Sequence, residues 1–283
     1  MNSNRAIISL ILVLFVRHGA LAIDRTAPFA ARIAHTAKDG NVTVHADSSL
    51  DSRFAASHAA HAAQVWRYFS SIFARTPGSS VEFFYTKDQR LFETILKRYP
   101  VIVIPGGRQL TTHWEGNHRV WFIIPYTMPD FGTQLHELSH DFLYATWPRS
   151  EEHPWIKEGL GMYFESGRIS EQGRFSVERP FPSYVVLFRD WQAKGALIPL
   201  RRLLTMPRDE FYRSDHTKTY SQSMMLVFYL WEKHPAMMRG VLAGFNNRTI
   251  TTNAQLIDFI LRSTGLSLVT LEREYIPYGT AAR

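Results

Sequence analysis

The most informative residues of this sequence are two histidines and a glutamate within five consecutive positions. His136, Glu137 and His140 form the pattern H-E-x-x-H, and no Pro or Gly interrupts residues 133–146. Residues four apart on an α-helix share one face, so both imidazoles can point at one ion. Glu137 lies beside them and is placed to act as a base on the attacking water rather than as a ligand. The pattern predicts a zinc site on a helix over 133–146.

A catalytic zinc site needs a third protein ligand and one open position. One common continuation places Gly three residues and His six residues after the second histidine, but here those positions are Leu143 and Thr146. The other supplies a glutamate from a second helix about 20 residues downstream. Glu158, which lies 18 residues after His140 on a predicted helix over 155–166, fits that arrangement. We therefore expect Glu158 to be the third ligand.

Four neighbouring residues leave alternatives open. Glu151, Glu152 and His153 could also supply the third ligand, although they lie in a polar stretch that ends at a proline and is typical of a loop. Glu165 follows Glu158 by seven residues on the same helix face, where it either orients a ligand or is a surface charge.

Gly159 and Gly161 lower helix propensity, so we expect them to allow close packing against the first helix.

The elements that position these residues change in character along the chain. A helix over 52–76 has an apolar face formed by Phe54, Val65, Trp66, Phe69 and Phe73. Strands are predicted over 81–85, 101–104 and 119–124, with a helix over 88–98. Further helices are predicted over 133–146, 155–166, 181–194, 219–233, 237–244 and 253–263. This order predicts an α+β fold with a strand-containing N-terminal lobe (about 45–146), a helical C-terminal lobe (147–283) and a cleft between them.

Composition restricts the residue types that can form a metal site and the classes of partner that the chain can bind. The chain has no cysteine, so a metal site must be built from histidine and carboxylate. The formal net charge of +7 comes from scattered basic residues rather than from a cluster, and this disfavours a nucleic-acid partner.

The N-terminus has the three parts of a secretory signal peptide. Basic Arg5 precedes an uncharged, largely apolar stretch over 6–16, and Ala20, Leu21 and Ala22 form a small-x-small cleavage pattern. The apolar stretch is shorter than the roughly 20 residues that span a membrane. We expect a signal peptide over 1–22 and a secreted or periplasmic catalytic domain over 23–283, with no membrane span in the mature chain.

The two motifs together resemble a known family. H-E-L-S-H at 136–140 and W-I-K-E-G-L-G-M-Y-F-E at 155–165 resemble the gluzincin clan of zinc metallopeptidases, and most of all the bacterial secreted peptidase MA-like proteins. Their usual text is H-E-x-x-H and then W-x-x-E-G-x-A-x-Y-x-E. The resemblance covers about 81–233 and includes a weaker match at Tyr220, which precedes polar and then apolar residues. Gly161 stands where the family usually has Ala, a departure we expect to be harmless.

This resemblance implies a thermolysin-like zincin core with one Zn²⁺ per chain, held by His136, His140 and Glu158. It implies that Glu137 is the general base in hydrolysis of a peptide or protein substrate. The strand over 119–124 would be the edge strand along the cleft, able to pair with an extended peptide.

The resemblance also implies an oxyanion donor from the third motif. Tyr220 is the expected donor, and Tyr212 and His216 lie close enough in sequence to serve instead.

Other interpretations remain open. The chain could be a catalytically inactive secreted binding protein that keeps a zincin fold, or a zinc hydrolase of a non-peptide amide. Glu137 favours an enzyme, because a binding protein has no need of a base beside both histidines. His58 and His61 have i, i+3 spacing on the helix over 52–76, which fits either a second metal or structural roles.

We predict that export removes the first 22 residues. Expression of the full gene with its leader should yield a soluble exported chain that begins near Ile23, because the apolar stretch is a signal and not an anchor. N-terminal sequencing of the exported protein measures this directly. Intact Met1 in the membrane fraction would contradict the prediction.

Overall fold

The computed structural model describes residues 30–73, 76–78, 80–96, 102–103, 109–115, 118–123, 131–170, 172, 174–177 and 179–282. The predicted signal segment and its cleavage site lie outside these residues. The fold is mixed α+β and mostly helical, with a smaller strand region, and this confirms the predicted class.

Most of the described strands form one mixed sheet in the N-terminal half. Its order is β1-β2-β3-β6-β5-β4, where β2, β3 and β6 are parallel and the remaining neighbours are antiparallel. A second, two-stranded sheet pairs β7 with β8. The strands are β1 Ile33–Asp39, β2 Val42–Asp47, β3 Val81–Tyr85, β4 Ile102–Val103, β5 Gln109–Glu115, β6 His118–Ile123, β7 Arg168–Ile169 and β8 Phe175–Ser176.

The strand predicted at 119–124 is not an edge strand, so that expectation is wrong. It is β6, which pairs with β3 through Val81↔Arg119 and with β5 through Leu110↔Ile123. Strand β5 was not predicted, and together with β3 it leaves neither side of β6 open to a peptide. Within the described sheet the outer strands are β1 and β4.

The helices follow the predicted order, with three additions. The predicted ones are α1 Ser52–Ile72, α2 Gln89–Leu96, α3 Gly132–Thr146, α4 Pro154–Glu165, α5 Pro182–Ala193, α8 His216–Lys233, α9 Pro235–Asn246 and α10 Asn253–Thr264. The additions are α6 Leu200–Thr205, α7 Arg208–Arg213 and α11 Leu268–Ala281, and a 3₁₀ helix over Pro148–Glu152 links α3 to α4. The first two additions have only six residues each, and α11 contains Pro277, a residue that normally argues against a helix interior.

Helix α4 lies between the two helices that complete the site. It packs against α3 on one side and against α8 on the other, while α1 covers β1 and β2 and also contacts α3. The five apolar residues predicted for this helix are all buried, four of them on α1 and the fifth, Phe73, at its C-cap. Apolar residues of α3 between its polar site residues are buried as well, so both helices are fixed by the same core.

A buried polar connection joins α1 to α3. The Nδ1 atom of His61 lies 3.0 Å from Gln134 Oε1, and Gln134 donates through Nε2 to the hydroxyl of Tyr85 at 2.6 Å. His58 Nδ1 bonds to the carbonyl of Phe54 at 3.0 Å, and the His58 ring stacks on Phe54. Among the described residues neither histidine belongs to a metal-binding group, so the structural interpretation of this pair fits the contacts.

None of the described helices is by itself long and apolar enough to cross a membrane. The pair α10 and α11, bent by 77° at its break, meets the length and composition test only when the two helices are counted together.

The burial of His58 predicts a pH-dependent stability. Burial lowers the pKa of His58 to about 4, below the usual value of about 6.5 in an unfolded chain. Between these pH values the unfolded chain binds a proton that the folded chain does not, so stability falls as pH drops from 6.5 towards 4. His58→Phe keeps a ring against Phe54 and removes this titration.

Urea unfolding of metal-free wild type and His58→Phe between pH 8 and pH 4 measures the effect. The free energy of unfolding of wild type relative to the variant should fall by about 3 kcal/mol across this range. The difference at pH 8, where both side chains are neutral, serves as the internal control. A difference that is constant with pH would contradict the assignment.

Candidate metal centre

Helices α3 and α4 bring three predicted ligands together. The rings of His136 and His140 lie one turn apart on α3, with centroids 4.7 Å apart and planes nearly perpendicular. Glu158 on α4 places Oε2 3.5 Å from each Nε2 atom. The three ligand atoms lie within 4.8 Å of one another, and all three side chains are buried. This is the only such group of three or more His, Asp or Glu side chains in the part of the chain that the structure describes.

The donors and their spacing fit a metal ion. Zinc takes imidazole nitrogen and carboxylate oxygen at about 2.0–2.2 Å in tetrahedral geometry, which separates neighbouring ligand atoms by about 3.4 Å. The two nitrogen-to-oxygen distances of 3.5 Å agree with that separation. Three protein ligands also leave a fourth position for water or substrate, as in catalytic sites.

Burial and neighbouring charges shift the pKa values of all three candidate ligands. Burial by itself would raise the pKa of Glu158, but His140, Lys157 and His136 hold it well below its usual range. Burial lowers the pKa of His140 to about 4. For His136 burial acts in the same direction, but Glu158, Glu165 and Glu137 outweigh it and raise the pKa to about 10.

Two further side chains form hydrogen bonds that orient His136 and Glu158. The carboxylate of Glu165 accepts a hydrogen bond from His136 Nδ1 at 3.0 Å, which directs Nε2 towards Glu158. Glu165 is buried, so of the two roles considered for it the contact supports the orienting one. The hydroxyl of Tyr212, on α7, donates to Glu158 Oε1 at 2.5 Å and leaves Oε2 facing the histidines.

Lys157 adds a positive charge next to the third ligand. Its Nζ lies 3.6 Å from Glu158 Oε1 and 2.9 Å from Glu151 Oε2, and the side chain is largely buried. This role of Lys157 was not predicted, because a lysine beside a glutamate on a helix normally faces solvent.

The three alternative third ligands have other partners. Glu151 pairs with Lys157, and Glu152 pairs with Arg149 on the surface at 2.6 Å. His153 stacks on Trp147 at a ring-centroid distance of 4.9 Å. The described metal-binding group contains none of them, so Glu158 is the better candidate.

The two glycines of α4 face different neighbours. A Cβ atom at Gly161 would lie 2.9 Å from His140 Cε1 and 3.0 Å from His136 Nε2, whereas one at Gly159 would lie 2.6 Å from Val227 Cγ2 on α8. Close approach to α3 therefore depends on Gly161 alone. An alanine at position 161 would fit only if the two rings moved, so Gly161 is matched to the helix spacing.

The predicted catalytic residues border the cluster. Glu137 is buried on α3, where its charge raises the pKa of His136, and it is not part of the ligand group. Tyr220 lies on α8, and burial, followed by the charge of Glu158, raises its pKa well above the usual value. It is therefore protonated and able to donate at neutral pH. Tyr212 already donates to Glu158, and the structure describes only the backbone of His216, at the start of α8.

Part of this chain matches the model of a protein family. Residues 130–248 are similar to the family DUF1570, described as a protein of unknown function. The match covers less than half of the chain and spans α3 and α4 with their ligands, as well as Tyr212 and Tyr220. No curated protein matches this chain.

The two glycines predict separable effects of one added methyl group. Gly161→Ala should weaken zinc affinity about 10- to 100-fold, because the methyl group displaces both imidazoles, much as loss of a ligand-orienting contact would. Gly159→Ala is the matched control on the same helix and should lower thermal stability instead, because it meets α8. Zinc competition with a chromophoric chelator, together with thermal melts of metal-free protein, measures both. Equal zinc affinity in Gly161→Ala and wild type would contradict the expected contact.

Proposed function

We propose that this protein is a zinc-dependent metallopeptidase of the gluzincin type, with a thermolysin-like catalytic core, that acts after export to the periplasm or the outside of the cell. The observation that carries the proposal is the convergence of two imidazoles and Glu158 within 4.8 Å, with Glu137 buried beside them but outside the ligand group. A site built only to hold a structural metal needs a fourth protein ligand rather than a base.

Each residue of the site would have a separate role in the reaction. Bound zinc would act as a Lewis acid that polarises the scissile carbonyl and makes the attacking water more acidic. Glu137 would take a proton from that water and pass it to the leaving amine nitrogen. The hydrogen bond from His136 to Glu165 and the one from Tyr212 keep two of the ligands in place meanwhile.

Tyr220 is the best candidate for stabilising the negative charge that forms on the carbonyl oxygen. Its raised pKa keeps the hydroxyl proton in place, and its position near Glu158 sets it at the edge of the ligand group. The hydroxyls of Tyr212 and Tyr220 both hydrogen-bond Glu158, and Tyr220 is preferred because it matches the third motif of the resemblance, whereas Tyr212 lies outside that motif. This assignment of roles supports peptide hydrolysis and gives each tyrosine a different expected phenotype.

Four variants test the mechanism. Glu137→Gln removes a base but no ligand, so cleavage should fall about 10²- to 10⁴-fold with zinc retained. Tyr220→Phe should reduce the rate about 10²- to 10³-fold, also with zinc retained. Tyr212→Phe is its matched control and should chiefly weaken zinc affinity, about 10- to 100-fold. His136→Ala should remove the metal. Elemental analysis and mass-spectrometric cleavage of a mixed peptide library measure both properties.

The outcomes separate the competing functions. Wild-type protein that was made with zinc available and contains no metal would exclude the zinc site. Near-normal cleavage by Glu137→Gln would exclude the proposed base. A zinc-loaded wild-type protein that cleaves no peptide would favour either a non-peptide amide substrate or a binding role. Those two are then distinguished by hydrolysis of small N-acyl amides.

A further inference from the structure

A cavity of about 510 Å³ lies beside the metal cluster. This volume is in the range of sites that bind small ligands or a peptide side chain. Its walls come from the start of α3, the end of α4 with β7, and the segment that leads into α5. The cavity therefore lies where elements from the first and second halves of the sequence meet.

The cavity is next to the site rather than on a remote surface. Glu165 lines the cavity, and the same carboxylate accepts the hydrogen bond from His136 Nδ1. Gly132 also lines it and lies one helical turn before His136 on the same face of α3, a rise of about 6 Å. If the scissile peptide bond lay at the metal cluster, the cavity would thus receive a substrate group about one residue away from that bond.

The walls carry two arginines without carboxylate partners. Arg168, on β7, and Arg179, before α5, both line the cavity. Both side chains are exposed, and neither forms an ion pair with any residue in the described ranges. By contrast, Lys157 and Arg208 near the site both contact Glu151. Glu165 is the one carboxylate among the lining residues, and it is engaged by His136. Burial lowers the pKa of His61, the remaining titratable lining residue, so that ring is neutral.

We propose that this cavity is a substrate subsite that binds a carboxylate through Arg168 and Arg179. Arginine presents a planar fork of donors that matches the two oxygens of a carboxylate, and an unpaired pair of arginines favours an anion over a neutral group. Phe131, Ile169 and Phe181 supply apolar walls for the stem that carries the anion. The proposal rests on the proposed peptidase function and names its substrate class.

Two kinds of peptide offer such a carboxylate, and they imply different modes of cleavage. An acidic side chain would make the enzyme an endopeptidase that prefers Glu or Asp next to the scissile bond. A free C-terminus would make it a carboxypeptidase. Matched peptides distinguish them: Glu against Gln within a sequence blocked at both ends, and free acid against amide at the end of a neutral sequence.

The test combines binding with cleavage. Zinc-loaded Glu137→Gln protein should bind the preferred carboxylate peptide about 10- to 100-fold more tightly than its neutral partner by fluorescence anisotropy. Wild-type kcat/KM should show the same preference, mainly through KM. Adding Arg168→Gln and Arg179→Gln together should abolish the preference, so that the carboxylate peptide is bound and cleaved no better than its neutral partner. Arg174→Gln is the matched control, because Arg174 lies just before β8 and is exposed like the two arginines of the cavity but does not line it.

Three results would overturn the subsite. They are equal binding of carboxylate and neutral peptides, a preference that survives in the double variant, or an equal loss in Arg174→Gln, which would indicate only general surface charge. Charge reversal with Arg168→Glu and Arg179→Glu should shift the preference to peptides with Lys at the same position. Failure of the peptidase proposal looks different: it would be absence of zinc or absence of cleavage of every peptide, charged or neutral.

Discussion

Glu158 holds a negative charge where only 3% of its surface meets water, and such a charge is costly unless it is paired. Its surroundings show how the cost is met. His136 and His140 lie 3.5 Å from one oxygen, while Tyr212 and Lys157 contact the other. The carboxylate is thus held ionised, which is the form that binds metal. The two histidines, Tyr212 and Lys157 together compensate this one buried negative charge.

That convergence is possible because α4 packs closely on both sides. At Gly161 there is no room for a side chain against the two imidazoles, and at Gly159 there is none against α8. Each glycine lowers the helix propensity of α4 by about 1 kcal/mol relative to Ala. Packing against two helices offsets this loss, since every residue of α4 is buried. The helix is therefore held by its neighbours more than by its own propensity.

The sequence predicted the local parts of this site and missed those that depend on tertiary pairing. His136 and His140 follow from a four-residue spacing, and Glu158 follows from a motif on the next helix. Glu165 and Tyr212 could be named only as candidates, because their roles depend on how α4 and α7 rotate against their partners. The sheet shows the same division. Residues 81–85 and 119–124 were recognised as strands by their apolar character, but β5, rich in Thr and other polar residues, was not. Without β5 the sheet appeared to end at β6.

Glu165 connects the metal cluster with the adjacent cavity. One carboxylate both accepts the hydrogen bond of His136 Nδ1 and forms part of the cavity wall. A carboxylate-bearing substrate in that cavity would be repelled by Glu165 if its charge were exposed there without compensation. Its hydrogen bond to His136 reduces this repulsion, and Arg168 and Arg179 place positive charge on the same walls. Glu165 thus both orients a candidate metal ligand and contributes negative charge to the cavity wall. Replacing Glu165 would change both together, whereas the arginines act on the cavity without contacting a ligand.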